Sequence, residues 1–297
     1  MDSKIFSGFY EKLKSGIPRG EIWIPDRALR ELCLEPKQES FITLSSRIGA
    51  DICYFSYSSP VQELMLDSGE MGRLIKEAHD LGLVCGITVD GPFERTVGEC
   101  GFMEVMCWFH DEGGRLSEYL EKYTALATAE LEAAALAGAD LLVLCDDIAY
   151  NQGPYFSLHD FEKLLLPLYR RLAYSTNGGA PFGFHSDGNV QKLLAGLIGA
   201  GFTLFSLEPE ALDLPELCRS LPEDTILLSG IKAEWLMGPV QHDEQAEEII
   251  QYVCSLKSRC RIVLSSLCGL TGADSLERLI RIYSLIDRSY PGAKRGK

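Results

Sequence analysis

Short apolar runs alternate with longer amphipathic stretches along most of the chain. Eight of these runs are rich in Val, Ile, Leu and Phe, a composition typical of strands buried on both faces. We therefore predict one strand in each. The eight runs lie at 20–26, 50–57, 83–91, 139–147, 180–188, 202–210, 225–233 and 261–269.

Between the runs, apolar residues recur with helical spacing, as they do in 118–138 and 243–259. Several of these stretches end in Gly just before the next run, which is typical of the residue that follows a helix. Strand and helix alternating eight times predicts parallel strands joined by right-handed crossovers. Eight such units close into a (β/α)8 TIM barrel, which is the predicted fold.

The predicted organisation is a single domain over 1–297, with 1–18 as an N-terminal helical extension. No Pro/Ser-rich linker, low-complexity tract or long charge block divides the chain. A doubly wound open sheet is the alternative fold. It would need a glycine-rich phosphate turn after the first strand, and the sequence GEIWIPDR at 20–27 has none.

Charge and cysteine content narrow the class of protein. The net charge of −15 disfavours binding to nucleic acids or to anionic membrane surfaces. The ten cysteines include no Cys-x-x-Cys pair, which argues against a zinc ribbon or a thioredoxin-like motif. The chain has no signal-peptide pattern and no apolar run of about 18 residues. We expect a cytoplasmic protein whose cysteines are mostly reduced.

Active sites of such barrels lie at the carboxyl ends of the strands, so the polar residues there are the candidates for chemistry. His185 and Asp187 end the fifth predicted strand, Glu208 ends the sixth and Cys268 ends the eighth. Nitrogen, oxygen and sulfur ligands of this kind suit zinc. Alternatively, His185 and Asp187 only hydrogen-bond the turn before Gly188, and Cys268 is a buried thiol.

The fourth predicted strand ends in two adjacent carboxylates, Asp146 and Asp147. Either one can cap the following turn, or act as a general acid or base or as a substrate anchor. Tyr150 offers a hydrogen-bond donor over the same rim. Glu94 and Arg95 either form a surface pair or line the mouth of the barrel.

Four stretches of the sequence resemble the uroporphyrinogen decarboxylase superfamily, and within it the zinc-dependent, corrinoid-linked methyltransferases. They are GPFERTVG at 91–98, the segment from CDDIAYNQGPYFS through DFEKLLLPLYRRL at 145–172, FHSDGNV at 184–190 and SSLCGLTGADSLERL at 265–279. Their order and spacing match the family over roughly residues 80–290. The resemblance implies a (β/α)8 barrel, in agreement with the eight apolar runs.

The resemblance also implies a zinc site. His185 matches the first ligand of the family, Cys268 the last, and Glu208 the fourth position. Asp187 departs from the pattern, because the thiol-methylating members have Cys there. Zinc would activate a methyl ether, a methylamine-type donor or a thiol, and the partner would be a corrinoid protein.

In the same comparison, Asp147 and Tyr150 would line the substrate side of the zinc. A decarboxylase is the first alternative function, but the Arg-Gln-Ala-Gly-Arg segment of those enzymes is absent. Only Arg27 and Arg30 stand in the corresponding region. A non-catalytic barrel that binds a corrinoid or another small ligand is the second alternative.

Overall fold

The structure is a computed structural model that describes residues 3–35, 37–57, 68–110, 114–176, 180–237, 243–268 and 270–290. Within these ranges no helix combines the length and the apolar character needed to cross a bilayer. Residues 1–2 of the predicted N-terminal extension and residue 269 of the eighth predicted strand range lie outside them.

The described residues form an alternating series of helices and strands. The helices are α1 Ser3–Ser15, α2 Asp26–Glu31, α3 Gln38–Ile48, α4 Ser68–Asp80, α5 Pro92–Cys100, α6 Phe102–Trp108, α7 Arg115–Ala137, α8 Leu158–Asp160, a π-helical turn Phe161–Leu165, α9 Leu166–Ser175, α10 Leu194–Ala200, α11 Leu214–Leu217, α12 Ala233–Met237, α13 Asp243–Lys257 and α14 Ala273–Ser289. The strands are β1 Ile52–Ser56, β2 Val84–Asp90, β3 Leu141–Cys145, β4 Ala149–Tyr150, β5 Gly153–Pro154, β6 Phe182–Ser186, β7 Leu204–Leu207, β8 Ile226–Gly230 and β9 Arg261–Ser265. This is a mixed α/β fold, and seven of the eight predicted strand ranges hold a strand of the main sheet.

The prediction of a strand at 20–26 is wrong. Strand-like pairing is limited to an isolated parallel bridge between Arg19 and Leu264 of β9, in which the Leu264 N–H donates to the Pro18 carbonyl oxygen and the Gly20 N–H donates to the Leu264 carbonyl oxygen. The carbonyl oxygen of Arg19 also accepts hydrogen bonds from the N–H groups of Asp51 and Ile52, at 2.8 and 3.1 Å. Pro25 has no N–H to donate to a ladder, and helix α2 begins directly after it. A closed eight-stranded barrel therefore stays a prediction.

The chain divides into two compact units, and the first comprises residues 1–55, 73–85 and 213–297. In this unit β8 and β9 pair in parallel, with Leu228 opposite Val263. Helix α14 buries Leu276, Leu279, Ile282, Tyr283 and Ile286, whose spacing of three or four residues forms one apolar face.

The second unit comprises residues 56–72 and 86–212. Here β2, β3, β6 and β7 are neighbouring parallel strands. Leu141 to Leu144 of β3 are fully buried, as expected for a parallel strand covered on both faces. Helix α7 packs against α5 and α9. The prediction of a single domain over the whole chain stays a prediction.

Candidate active site

The carboxyl ends of four parallel strands in the second unit place the candidate residues at one sheet edge. The register pairs Asp90 at the end of β2 with Cys145 at the end of β3, and Cys145 with His185 of β6. His185 in turn lies opposite Ser206 of β7. Residues that follow these positions in the chain therefore emerge side by side at this edge.

Asp146 caps the N-terminus of helix α5. Its buried carboxylate accepts hydrogen bonds from the N–H groups of Glu94 at 2.6 Å and Phe93 at 3.3 Å, and from the Tyr169 hydroxyl at 2.7 Å. Burial raises the pKa of Asp146 to about 7, although these three donors oppose the shift. Asp146 is therefore a cap, but of helix α5 and not of the turn that follows it in the chain, which was the capping role predicted from the sequence.

Asp147, His185 and Asp187 form a cluster in which one ligand atom of each lies within 4.8 Å of the others. Asp147 Oδ1 accepts a hydrogen bond of 2.8 Å from the Asp187 N–H, and His185 Nε2 lies 3.8 Å from Asp187 Oδ1. His185 Nδ1 forms a 2.9 Å hydrogen bond with the buried Ser206 hydroxyl. This bond fixes the ring with Nε2 towards the Asp187 carboxylate.

The carboxyl groups around this cluster are crowded. Burial raises the pKa of Asp187 to about 6, and the negative charge of Asp147 raises it further while His185 opposes the shift. Burial likewise raises the pKa of Glu94 to about 7, with the charges of Asp147, Asp90 and Asp187 adding to it. Carboxylates that repel one another in this way favour a bound cation over a set of bare negative charges.

Arg95 is a cation near the cluster, but its guanidinium pairs with a carboxylate outside the cluster. Its guanidinium pairs with Glu130 of α7 at 2.5 Å, and both side chains are almost completely buried. Its Nε also donates to the Asp90 carbonyl oxygen at 2.9 Å. Glu94 and Arg95 are therefore not the simple surface pair that was one of the two interpretations of the sequence.

Glu208 and Cys268 are the two other metal ligands predicted from the sequence. Glu208 lies beside the cluster, and its carboxylate accepts a hydrogen bond of 3.0 Å from the Gly188 N–H. Cys268 is half-buried in the turn after β9 of the first unit, where its N–H donates to the Ser266 carbonyl oxygen. The roles of Glu208 and Cys268 as metal ligands stay predictions.

Tyr150, the second predicted catalytic residue, is 48% exposed in the β4–β5 hairpin. Its ring stacks on that of Tyr155 with 5.8 Å between ring centres. It also lines a cleft of about 310 Å³. The other residues of this cleft are Gln152, Gly153, Pro154, Phe156, Ser157, Leu158, Lys192 and Leu193.

Two residues of the site were not predicted from the sequence. Tyr155 approaches the carboxylates closely enough that Asp147 and Glu94 add to the rise in its pKa, which burial dominates. Ser206 orients the imidazole of His185. Ser206 stands two residues before Glu208, and thus on the same strand face, which is the signal that could have identified it.

The donor set fits a divalent transition metal. An imidazole nitrogen and two carboxylates are ligands that zinc accepts, and a fourth position would remain for water or substrate. A metal-binding imidazole usually has its second nitrogen hydrogen-bonded to a neighbouring group, as His185 has with Ser206. The arrangement can therefore hold a Lewis acid beside several groups that bind protons near neutral pH.

The comparisons with known proteins concern the family and the fold of this chain. A family model described as uroporphyrinogen decarboxylase (URO-D) matches residues 73–288. A methyltransferase from Methanosarcina mazei has a similar structure, with a TM-score of 0.74 and 16% sequence identity over 96% of this chain and 99% of that one.

Two further solved structures are less similar. A B12-independent methionine synthase from Shewanella sp. W3-18-1 has a TM-score of 0.55 at 9% identity over 84% of this chain and 86% of its own. A D-psicose 3-epimerase from Clostridium cellulolyticum H10 has a TM-score of 0.54 at 12% identity over 88% and 95%. No curated protein matches the sequence. At these identities the structural likeness shows a shared fold.

Proposed function

Given that the chain belongs to the uroporphyrinogen decarboxylase (URO-D) family, we propose that it is a zinc-dependent methyltransferase. The methyl group would be exchanged between a small substrate and a corrinoid carried by a partner protein. The observation that carries the proposal is the Asp147–His185–Asp187 cluster, in which Ser206 orients the imidazole. The methyltransferase name of the Methanosarcina mazei structure supports the same reaction class.

In this proposal His185 Nε2 and the carboxylates of Asp147 and Asp187 hold the metal. Glu208 and Cys268 are the further ligands expected from the sequence. When bound, zinc would supply Lewis-acid activation of the substrate heteroatom that gives or receives the methyl group. The finer fold assignment, a (β/α)8 barrel, is part of the same proposal.

Side chains around the metal cluster have proposed roles in proton transfer, substrate binding and positioning. Burial raises the pKa of Glu94 in the metal-free protein, so its carboxyl group is the candidate to release or take up a proton of the substrate heteroatom. The stacked rings of Tyr150 and Tyr155 provide an apolar wall against which a methyl group can lie and from which water is displaced. The Asp147 carboxylate holds the turn at Asp187 in place by accepting a hydrogen bond from the Asp187 N–H.

The decarboxylase alternative is less compatible with these surroundings. A porphyrin with several carboxylates needs cationic side chains for its recognition. Among the described residues, the charged groups that act on the cluster carboxylates are mostly acidic, namely Asp90, Glu94, Glu208 and Glu210. Arg95 is already paired with Glu130, and Lys192 is a cation of the neighbouring cleft. The methyl-transfer proposal therefore has the stronger support.

Metal content is the first test. We expect about one zinc per chain by elemental mass spectrometry in the wild type, and loss of the metal in His185→Ala and Asp187→Ala. His159→Ala is the matched control, because His159 is exposed on α8 of the same unit, and it should keep the zinc. A wild-type protein that takes up no zinc after incubation with the ion would contradict the proposal.

The variant series then separates metal binding from methyl transfer. Asp147→Asn and Cys268→Ala examine the other expected ligands. Methyl transfer is followed through the absorption change when cob(I)alamin becomes methylcobalamin in the presence of candidate methyl donors. Zinc-loaded protein that transfers no methyl group from methyl ethers or methylamines, or to thiols, would refute the reaction while leaving the metal site intact.

A further inference from the structure

Two cysteine sulfur atoms lie in direct contact in the first unit. Cys218 follows helix α11 and Cys260 immediately precedes β9. Their Sγ atoms are 2.8 Å apart although 42 positions separate them in the chain. The bond length of a disulfide is about 2.05 Å, so only a small side-chain movement separates this pair from a covalent link.

The backbone on each side of the pair is well fixed. Helix α11 ends with the Cys218 N–H donating to the Leu214 carbonyl oxygen at 2.9 Å. On the other side, the Cys260 N–H donates to the Leu256 carbonyl oxygen at 3.0 Å. The Arg259 guanidinium then connects the two segments by donating to the Pro215 carbonyl oxygen at 3.0 Å. The two sulfurs are therefore held together by the fold.

The local electrostatics favour reaction at this pair. The hydrogen bond shared with Cys260 Sγ lowers the pKa of Cys218, and the positive charge of Arg259 lowers it further, while burial opposes both. A thiolate is the reactive form of cysteine in oxidation and in thiol–disulfide exchange. Cys218 is 2% exposed, whereas Cys260 is only half-buried, so small oxidants reach the pair from the Cys260 side.

We propose that Cys218 and Cys260 form a reversible disulfide. With a peroxide as oxidant, the two thiols lose two electrons and two protons as the S–S bond forms, and the peroxide O–O bond breaks. Hydrogen peroxide is thereby reduced to two molecules of water. A dithiol reductant reverses the step by thiol–disulfide exchange: the reductant is oxidised to its own disulfide, and both cysteines return to the protonated thiol form.

Thiol counting and peptide mapping test the proposal. Purified, fully reduced protein is exposed to a small excess of hydrogen peroxide, quenched in acid and unfolded. We expect the ten titratable thiols to fall to eight, and dithiothreitol to restore them. Trypsin cleaves after Arg219, Arg259 and Arg261, so the cross-link appears as the peptide ending at Arg219 joined to residues 260–261.

Matched variants make the result specific. Cys218→Ser and Cys260→Ser should each retain all nine remaining thiols under the same conditions. If Cys218→Ser folds poorly, Cys218→Ala is used in its place. Cys254→Ser on α13 is the control, and it should still lose two thiols. The cross-link should raise the midpoint of thermal unfolding by about 5 °C or more, because it constrains a long loop of the unfolded chain.

Two outcomes would overturn the proposal. One is that other cysteines, such as the exposed Cys33 and Cys107, are oxidised while no peptide joins residues 218 and 260. The other is that Cys260→Ser loses two thiols as the wild type does. Neither result depends on metal binding or methyl transfer.

Discussion

The contact between Gly91 and Asp146 offers a sharp test of how helix α5 is held at the site. A Cβ atom added to Gly91 would lie 2.5 Å from Asp146 Oδ2 and closer still to its Cγ. The Asp146 side chain cannot move away freely, because it is fully buried and accepts three hydrogen bonds. Gly91→Ala should therefore displace the cap.

The expected loss of stability is the sum of three contributions to the free energy of unfolding. Overpacking a buried site costs about 1–3 kcal/mol, and loss of a helix cap costs about 1 kcal/mol. The backbone of Gly91 has φ of −78° and ψ of 170°, which alanine adopts without strain, so the substitution also gains about 0.4–1 kcal/mol from the unfolded state. We expect a net loss of about 1–3.5 kcal/mol, measured as a lower midpoint of urea unfolding with an unchanged slope.

Two comparisons make the prediction specific. Gly98→Ala lies on the same helix with open space around its added Cβ, and should stabilise the protein by about 0.5–1 kcal/mol. In an Asp146→Gly background all three Asp146 atoms that the added Cβ would meet, namely Cβ, Cγ and Oδ2, are gone, so Gly91→Ala should cost little there. Additive effects of the Gly91 and Asp146 substitutions would refute the argument, because residues in contact are expected to show coupling.

Two other predictions concern buried charges of the second unit. Glu130→Gln should destabilise the protein by about 3–5 kcal/mol, because it removes the carboxylate that pairs with the buried Arg95 guanidinium. The control is Glu132→Gln at an exposed position of the same helix, which should change the free energy of unfolding in urea by less than about 0.5 kcal/mol. Burial raises the pKa of Asp90 to about 6, so the folded state favours its protonated form, and the stability associated with that form is lost as pH rises from about 4 through 6. The unfolding free energy of Asp90→Asn should consequently rise by about 1 kcal/mol relative to that of the wild type between pH 5 and pH 8. Urea titrations in which the difference between the two proteins stays constant over these pH values would contradict this assignment.

Much of the fold could be predicted because the strands are short, apolar and regularly spaced. The seven correct ranges each contain a run that parallel strands bury on both faces. The range at 20–26 is held differently from the other seven: the buried Glu21 carboxylate accepts hydrogen bonds from the N–H and hydroxyl groups of Ser266 and from the Tyr283 hydroxyl. Apolar composition alone could not reveal that the backbone pairing with β9 extends no further than Gly20 and that side-chain hydrogen bonds hold the segment from Glu21.

The candidate site was only partly predictable for a different reason. The alternation of side chains along a strand brought His185 and Asp187 to one face, and the structure does place them together. The partners contributed by other strands depend on register, which the sequence does not encode locally. Ser206 lies opposite His185 only because β6 and β7 pair in that register.

The adjacent carboxylates Asp146 and Asp147 show how one residue type serves two purposes at a strand end. Asp146 turns into the protein and caps α5, whereas Asp147 faces the cluster and accepts from the Asp187 N–H. Because Asp146 fixes the start of the helix that carries Glu94, its removal would disturb the site without removing a ligand. Loss of metal in Asp146→Ala would thus report on the position of α5, and only Asp147→Asn can distinguish a ligand from its support.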